Sequence, residues 1–140
     1  MIFDMTNLFS DRQEVTTTAV STNTIDLGVS QTPINGIAPL KRDLGAGCAV
    51  PLVVQVVADF AGLTDLTVEL QVSDAPDSGF TTVASSATVA AADLVAGRSF
   101  EPQYIPQGTD KRYVRLNYVV TGTATAGAIV AGITTGHQTN

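Results

Sequence analysis

The sequence predicts an all-β fold, a jelly-roll-like β-sandwich or barrel of about eight strands in a single domain, and three observations carry that expectation. The chain of 140 residues is 44% hydrophobic but only 6% aromatic, with no Trp. Its apolar content comes mainly from Val, Ala, Leu and Ile with Thr beside them, and branched side chains suit strands. Two stretches alternate with a period of two, the signature of a sheet with one buried face. In the first, Leu66, Val68, Leu70 and Val72 alternate with Thr67, Glu69 and Gln71; in the second, Val114, Leu116, Tyr118 and Val120 alternate with Tyr113, Arg115, Asn117 and Val119. Turn formers separate the apolar segments throughout, with hardly any helical period between them. Alternation does not record strand order, so it leaves an immunoglobulin-like sandwich open beside the jelly roll.

Taken in order, residues 1–15 read as an apolar N-terminal arm, in which Ile2, Phe3, Met5, Leu8 and Phe9 crowd a segment that is ordinarily polar and loose. Something must cover it, either its own barrel end or another surface. Ser10 to Gln13 has capping-box spacing, but no helical period follows, so a short turn is expected. Residues 16–136 form the β domain. Within it, 16–27 is an edge strand, and 28–47 is a long connection broken by Pro33, Gly36, Pro39, Gly45 and Gly47, with one short strand near 37–42. Connections of that length usually carry surface contacts.

Residues 50–60 are a nearly continuous apolar run interrupted by Gln55, as in a strand covered on both faces. The 66–72 strand follows with one wet face. A turn over 74–79 leads to a short strand near 80–84. The alanine-rich 87–96 segment predicts one helical turn ended by Gly97, and 98–105 a strand stopped by Pro102 and Pro106 near an edge. Residues 112–133 read as a hairpin whose five-residue turn, 121–125, contains Gly122 for a positive φ. A polar tail, 137–140, ends the chain.

Seven Lys and Arg against 13 Asp and Glu leave a net charge of −6, which argues against a phosphate-binding surface and so against nucleic acid as a partner. No run approaches the ~18 apolar residues of a membrane span, and the N-terminus lacks the pattern of a secretory leader. The expectation is a soluble protein without a membrane partner. One cysteine, Cys48, rules out an internal disulfide and a cysteine-based metal cage, in keeping with a reducing cytoplasm.

Chemistry is scarce. His137 is the single histidine and lies near the tail, which leaves no set of histidines for a zinc site. Cys48 has no basic neighbour in sequence to activate its thiol. Asp74 and Asp77 lack the ligand spacing of a calcium loop, and Gly45-Ala46-Gly47 lacks the strand and helix that flank a phosphate loop. No enzyme, cofactor or metal is expected. Lys41, Arg42, Lys111, Arg112 and Arg115 hold five of the seven positive charges; they are either solvated or anchors for acidic groups on a partner. The candidate interface residues are therefore Ile2, Phe3, Leu8, Phe9, Lys41, Arg42, Lys111, Arg112 and Arg115.

The ordered set of segments Leu8 to Thr16, Ala19 to Gly28, Val68 to Ser73, Ala84 to Ala87, Leu94 to Gly97, Arg112 to Tyr118 and Thr125 to Gly127 resembles the Bbp16 family of bacteriophage capsid cement proteins, also called decoration proteins. The resemblance covers nearly the whole chain through strand and turn residues. It implies a jelly-roll structural protein of the virion, assembled in the host cytoplasm. Such a protein binds the exterior of the head and fastens neighbouring major capsid subunits, as a homo-oligomer and without enzymatic activity. Two other uses of a β-sandwich compete with it. A carbohydrate- or receptor-binding module of the virion wants exposed aromatics, and a cupin wants several histidines around a metal.

Overall fold

The computed structural model describes residues 3–29, 33–34, 37–39 and 43–137. Among these, the strands in chain order are β1 (Leu8–Glu14), β2 (Ala19–Val20), β3 (Ile25–Asp26), β4 (Pro33–Ile34), β5 (Ile37–Pro39), β6 (Leu52–Ser73), β7 (Thr81–Ser85), β8 (Val89–Ala90) and β9 (Tyr113–Ile133). Among the described residues the helical content is two 3₁₀ turns, Met5–Asn7 and Ala91–Asp93. The chain is all-β and forms one domain. β4 and β5 pair with each other inside the 28–47 connection, and the other seven strands share one antiparallel sheet with β9 and β6 at its centre.

The hairpin expected over 112–133 does not form. Those residues make one 21-residue strand, and the two strands expected at 50–60 and 66–72 are likewise a single 22-residue strand running antiparallel to it. Gly122, read as the turn former, is a bulge residue instead, and Gly62 and Gly127 are bulge residues with it. Gly62, Gly122 and Gly127 have φ of +88°, +89° and +137°, and a positive φ serves a hairpin turn and a β-bulge equally well. Here the partner strand supplies the pairing: Thr121 faces Asp65, Gly122 faces Leu63, and Ala126 faces Ala61. The register slips at four places between Val56 and Asp65. Such extra residues bend and twist a ribbon, so two long strands can turn a corner together without separating.

The outer segments follow the same path. Residues 8–27 run along β9 from the Leu8–Gly132 pair to the bond that Leu27 N donates to Arg112 O at 2.8 Å, with β2 and β3 as short rungs between. Residues 81–105 run along β6 from the Thr81–Val72 pair to the bond from Ile105 N to Val50 O at 2.9 Å. The result is a strip four segments wide and bent in the middle. One half has the order β1, β9, β6, 98–105, and the other the order β2 and β3, β9, β6, β7 and β8. That order is compatible with a jelly roll.

Several local expectations change for reasons of pairing. The turn at Ser10–Gln13 is a bulge inside β1, with Arg12 at φ +49° and a register shift there. The 98–105 segment is no regular strand; it forms isolated bridges from Ser99 to Gln55 of β6 and from Tyr104 to Pro51 just before β6, as suits a segment interrupted by Pro102. In the 87–96 segment the expected single helical turn is present as the 3₁₀ turn Ala91–Asp93, preceded by the short strand β8.

The core lies between the two halves of the strip. Val72 faces Val114, Leu70 faces Leu116, Val68 faces Tyr118 and Leu66 faces Val120; all eight side chains are buried. In the other half Leu52, Val54, Val56, Ile129 and Ala131 join the same cluster, together with Phe9, Phe60 and Phe100. The period of two in the sequence is therefore the inward face of this core.

Candidate functional site

The predicted interface residues have very different environments. Ile2, Lys41 and Arg42 lie outside the described residues. Phe9 is fully buried in the core and Leu8 is 9% exposed, because both belong to β1 and are held by its pairing with β9. Phe3 is half-buried, and its ring covers Gly132: a Cβ built there would sit 2.8 Å from Phe3 Cδ1. The segment Phe3 to Phe9 thus docks on the end of its own sheet, while Met5 in the same segment is 86% exposed.

Two of the three remaining cations have partners within the chain. Lys111 Nζ donates to Asp74 Oδ2 at 2.8 Å. Arg112 forms a two-pronged pair with Asp26, Nε to Oδ1 at 2.8 Å and Nη2 to Oδ2 at 2.7 Å, and lies 4.9 Å from the Tyr113 ring centroid. Bonding to those carboxylates raises the pKa of both cations. These pairs brace the start of β9 against β3 and against the end of β6. They are exposed, so salt weakens them.

Arg115 differs. Alternation along β9 puts it on the outer face of the sheet, opposite Gln71 of β6, and its guanidinium stacks on Phe80 at 3.7 Å from the ring centroid. Its Nε donates to Gln71 Oε1 at 3.0 Å. Gln71 Nε2 in turn donates to Glu69 Oε2 at 3.1 Å, an oxygen that also accepts from Asn117 Nδ2 at 2.9 Å and from Thr82 Oγ1 at 3.4 Å. Among the described residues no carboxylate lies within ion-pair distance of Arg115. Partial burial lowers its pKa, the direction expected when a cation loses hydration without gaining a counter-charge.

Phe80, Gln71, Glu69, Asn117 and Thr82 were absent from the sequence-predicted site. Part of the signal was there: Glu69, Gln71, Arg115 and Asn117 all occupy the polar positions of the two alternating strands. Phe80 carried no such signal, because its place under Arg115 depends on how β7 is entered.

Other polar groups tie loops together. Asp43 accepts from Gly45 N at 3.0 Å and from Gly108 N at 3.1 Å, closing the 43–48 loop against 106–109. His137 packs edge-on to Tyr104, 5.0 Å between centroids, with Nε2 2.6 Å from Gln103 O. A carbonyl only accepts, so Nε2 carries the proton. Cys48 is exposed. Among the described residues, depressions lie around Glu14, Thr16 and Ala126 and around Ser86, Arg98 and Glu101, and Arg115 lines neither of these.

Compared with known families, the chain matches the Bbp16 family model over residues 9–133. Among curated proteins none matches it.

Proposed function

The chain belongs to the Bbp16 family, and from that premise we propose that it is a capsid cement protein, binding the exterior of an assembled phage head and fastening neighbouring major capsid subunits. The family name suggests a phage-related protein, and the cement role is the specific form of that reading which fits the fold. The carrying observation is the span of the match, which begins inside β1 and ends at the last residue of β9 and so takes in the whole bent strip. A ribbon in which two strands of more than 20 residues pair along their length suits a clamp under tension, because load spreads over many backbone hydrogen bonds in parallel. The outer face of the β6–β9 half, with Glu69, Gln71, Arg115 and Asn117, is a polar surface of the kind that meets another folded surface. Many copies on a symmetric lattice would add modest contacts into a large resistance to internal pressure.

The test is co-sedimentation of the purified chain with mature, undecorated heads. Saturable binding, together with greater resistance of the heads to heat or to osmotic shock, is the expected result. Failure to pellet with intact heads would overturn the cement role and return attention to a receptor- or carbohydrate-binding module of the virion.

A further inference from the structure

Arg115 has the features of an anchor that is prepared and unused. Its stem rises near the start of β9, where the strand has β6 on one side and β2 and β3 on the other, so its base cannot drift. Phe80 supports one face of the guanidinium at 3.7 Å, and Gln71 takes Nε at 3.0 Å. Gln71 is itself held by Glu69 and Thr82. The Nη groups have no hydrogen-bond partner among the described residues, although the two neighbouring cations, Lys111 and Arg112, are both matched with carboxylates. A guanidinium already stacked and oriented loses little further freedom when it binds.

We infer that Arg115, with Phe80 and Gln71 as its support, is the anchor by which the outer face of the β6–β9 half grips an Asp or Glu side chain of the major capsid subunit. The inference rests on the cement reading and adds to it which face meets the shell and what it recognises. A carboxylate fits because its two oxygens match the two Nη nitrogens in a fork. A nucleic-acid backbone does not, because a chain with seven Lys and Arg against 13 Asp and Glu, net charge −6, cannot offset the repulsion of a polyanion. Lys111 and Arg112 would have to break existing pairs to do the same work.

The experiment measures the affinity of purified variants for mature undecorated heads by co-sedimentation, with melting temperature and oligomeric state as fold controls. Arg115→Ala should weaken binding by about tenfold or more, as for loss of a charge-assisted pair at an interface centre. Arg115→Lys should recover little of it, because an ammonium keeps the charge but not the fork. Phe80→Leu, which removes the ring but leaves an apolar side chain, should weaken binding by a smaller factor. Arg112→Ala should change it by less than about threefold, as for a rim charge. If Arg115→Ala and Arg115→Lys fold and bind within twofold of the parent chain, the anchor assignment is overturned and the cement role survives. Full recovery by Arg115→Lys would also overturn it, since only net charge would matter. If the parent chain itself does not bind heads, the cement reading fails and the anchor fails with it.

Discussion

The Tyr118 hydroxyl lies 2.7 Å from the Ser10 hydroxyl across 108 residues of sequence, and both side chains are 0% exposed. Ser10 gives its single proton to Gln13 Oε1 at 2.7 Å, so Tyr118 is the donor to Ser10 Oγ. Gln13 Oε1 also accepts from Thr22 N and Thr22 Oγ1, both at 2.9 Å, while Gln13 Nε2 donates to Val20 O at 2.8 Å. Asn23 adds bonds from its N to Phe9 O and from its Nδ2 to Leu8 O. One connected network therefore runs from the core to the sheet margin, and its outer part covers the edge of β1 that β9 leaves open. An uncovered edge is a template for unwanted strand pairing.

Tyr118 should be silent in an alkaline titration of the folded protein. Burial pushes its phenol above the ordinary range, and the hydrogen bond it shares with Ser10 offsets only part of that. The stability that the neutral phenol contributes is complete below the unfolded value of about 10 and is lost as pH rises above it toward the raised folded value, because the unfolded chain then releases the proton first. Tyr118→Phe should give the same native phenolate signal as the parent chain and a shallower fall in melting temperature above pH ~10. At neutral pH its cost should be about 1 kcal/mol, since Ser10 keeps Gln13 as a partner. A smaller native phenolate signal in Tyr118→Phe would refute the assignment.

Gln13→Ala should cost about 1–3 kcal/mol, because it removes the acceptor shared by Ser10 and Thr22 and the donor to Val20. It should also promote association, because the β1 edge loses part of its cover. Denaturant midpoints measure the first effect and light scattering at rising concentration the second. A loss under ~0.5 kcal/mol, typical of an ordinary surface substitution, would mean the network contributes little.

Phe9→Ala should destabilise the fold by about 3–5 kcal/mol, the range for emptying a large aromatic site in a core. Phe3→Ala should cost much less, since Phe3 is half-buried and Gly132 beneath it is backbone. Thermal unfolding of both variants, alongside head binding, separates a folding role from a contact role for the N-terminal segment. Equal losses from the two would contradict this placement of Phe9.

Gly127→Ala should cost about 1–3 kcal/mol through overpacking, since a Cβ there would overlap the Phe60 ring at a φ of +137°. Adding Phe60→Leu should recover part of the loss, because the two side chains then no longer compete for one volume. A double-mutant cycle with no coupling would show that backbone strain alone is responsible.

The sequence by itself determined the fold class and the inward face of the sheet. The alternation at 66–72 and 114–120 follows from the two-residue repeat of a strand, which is a property of local chain geometry. The same parity put Glu69, Gln71, Arg115 and Asn117 on the outer face before any pairing was known. What the tertiary structure decided was continuity and partnership. Gly62 and Gly122 carry a positive φ whether they make a turn or a bulge, and only the presence of β6 opposite β9 turns the expected hairpin into one bent strand. Among Lys111, Arg112 and Arg115, nearly adjacent in sequence and alike in charge, the distinction came from residues far along the chain: Asp74 and Asp26, 37 and 86 positions away, match the first two, while Phe80 and Gln71 support the third and leave its fork open. Such a choice depends on which segments the bent strip brings side by side, and local propensity carries no record of it.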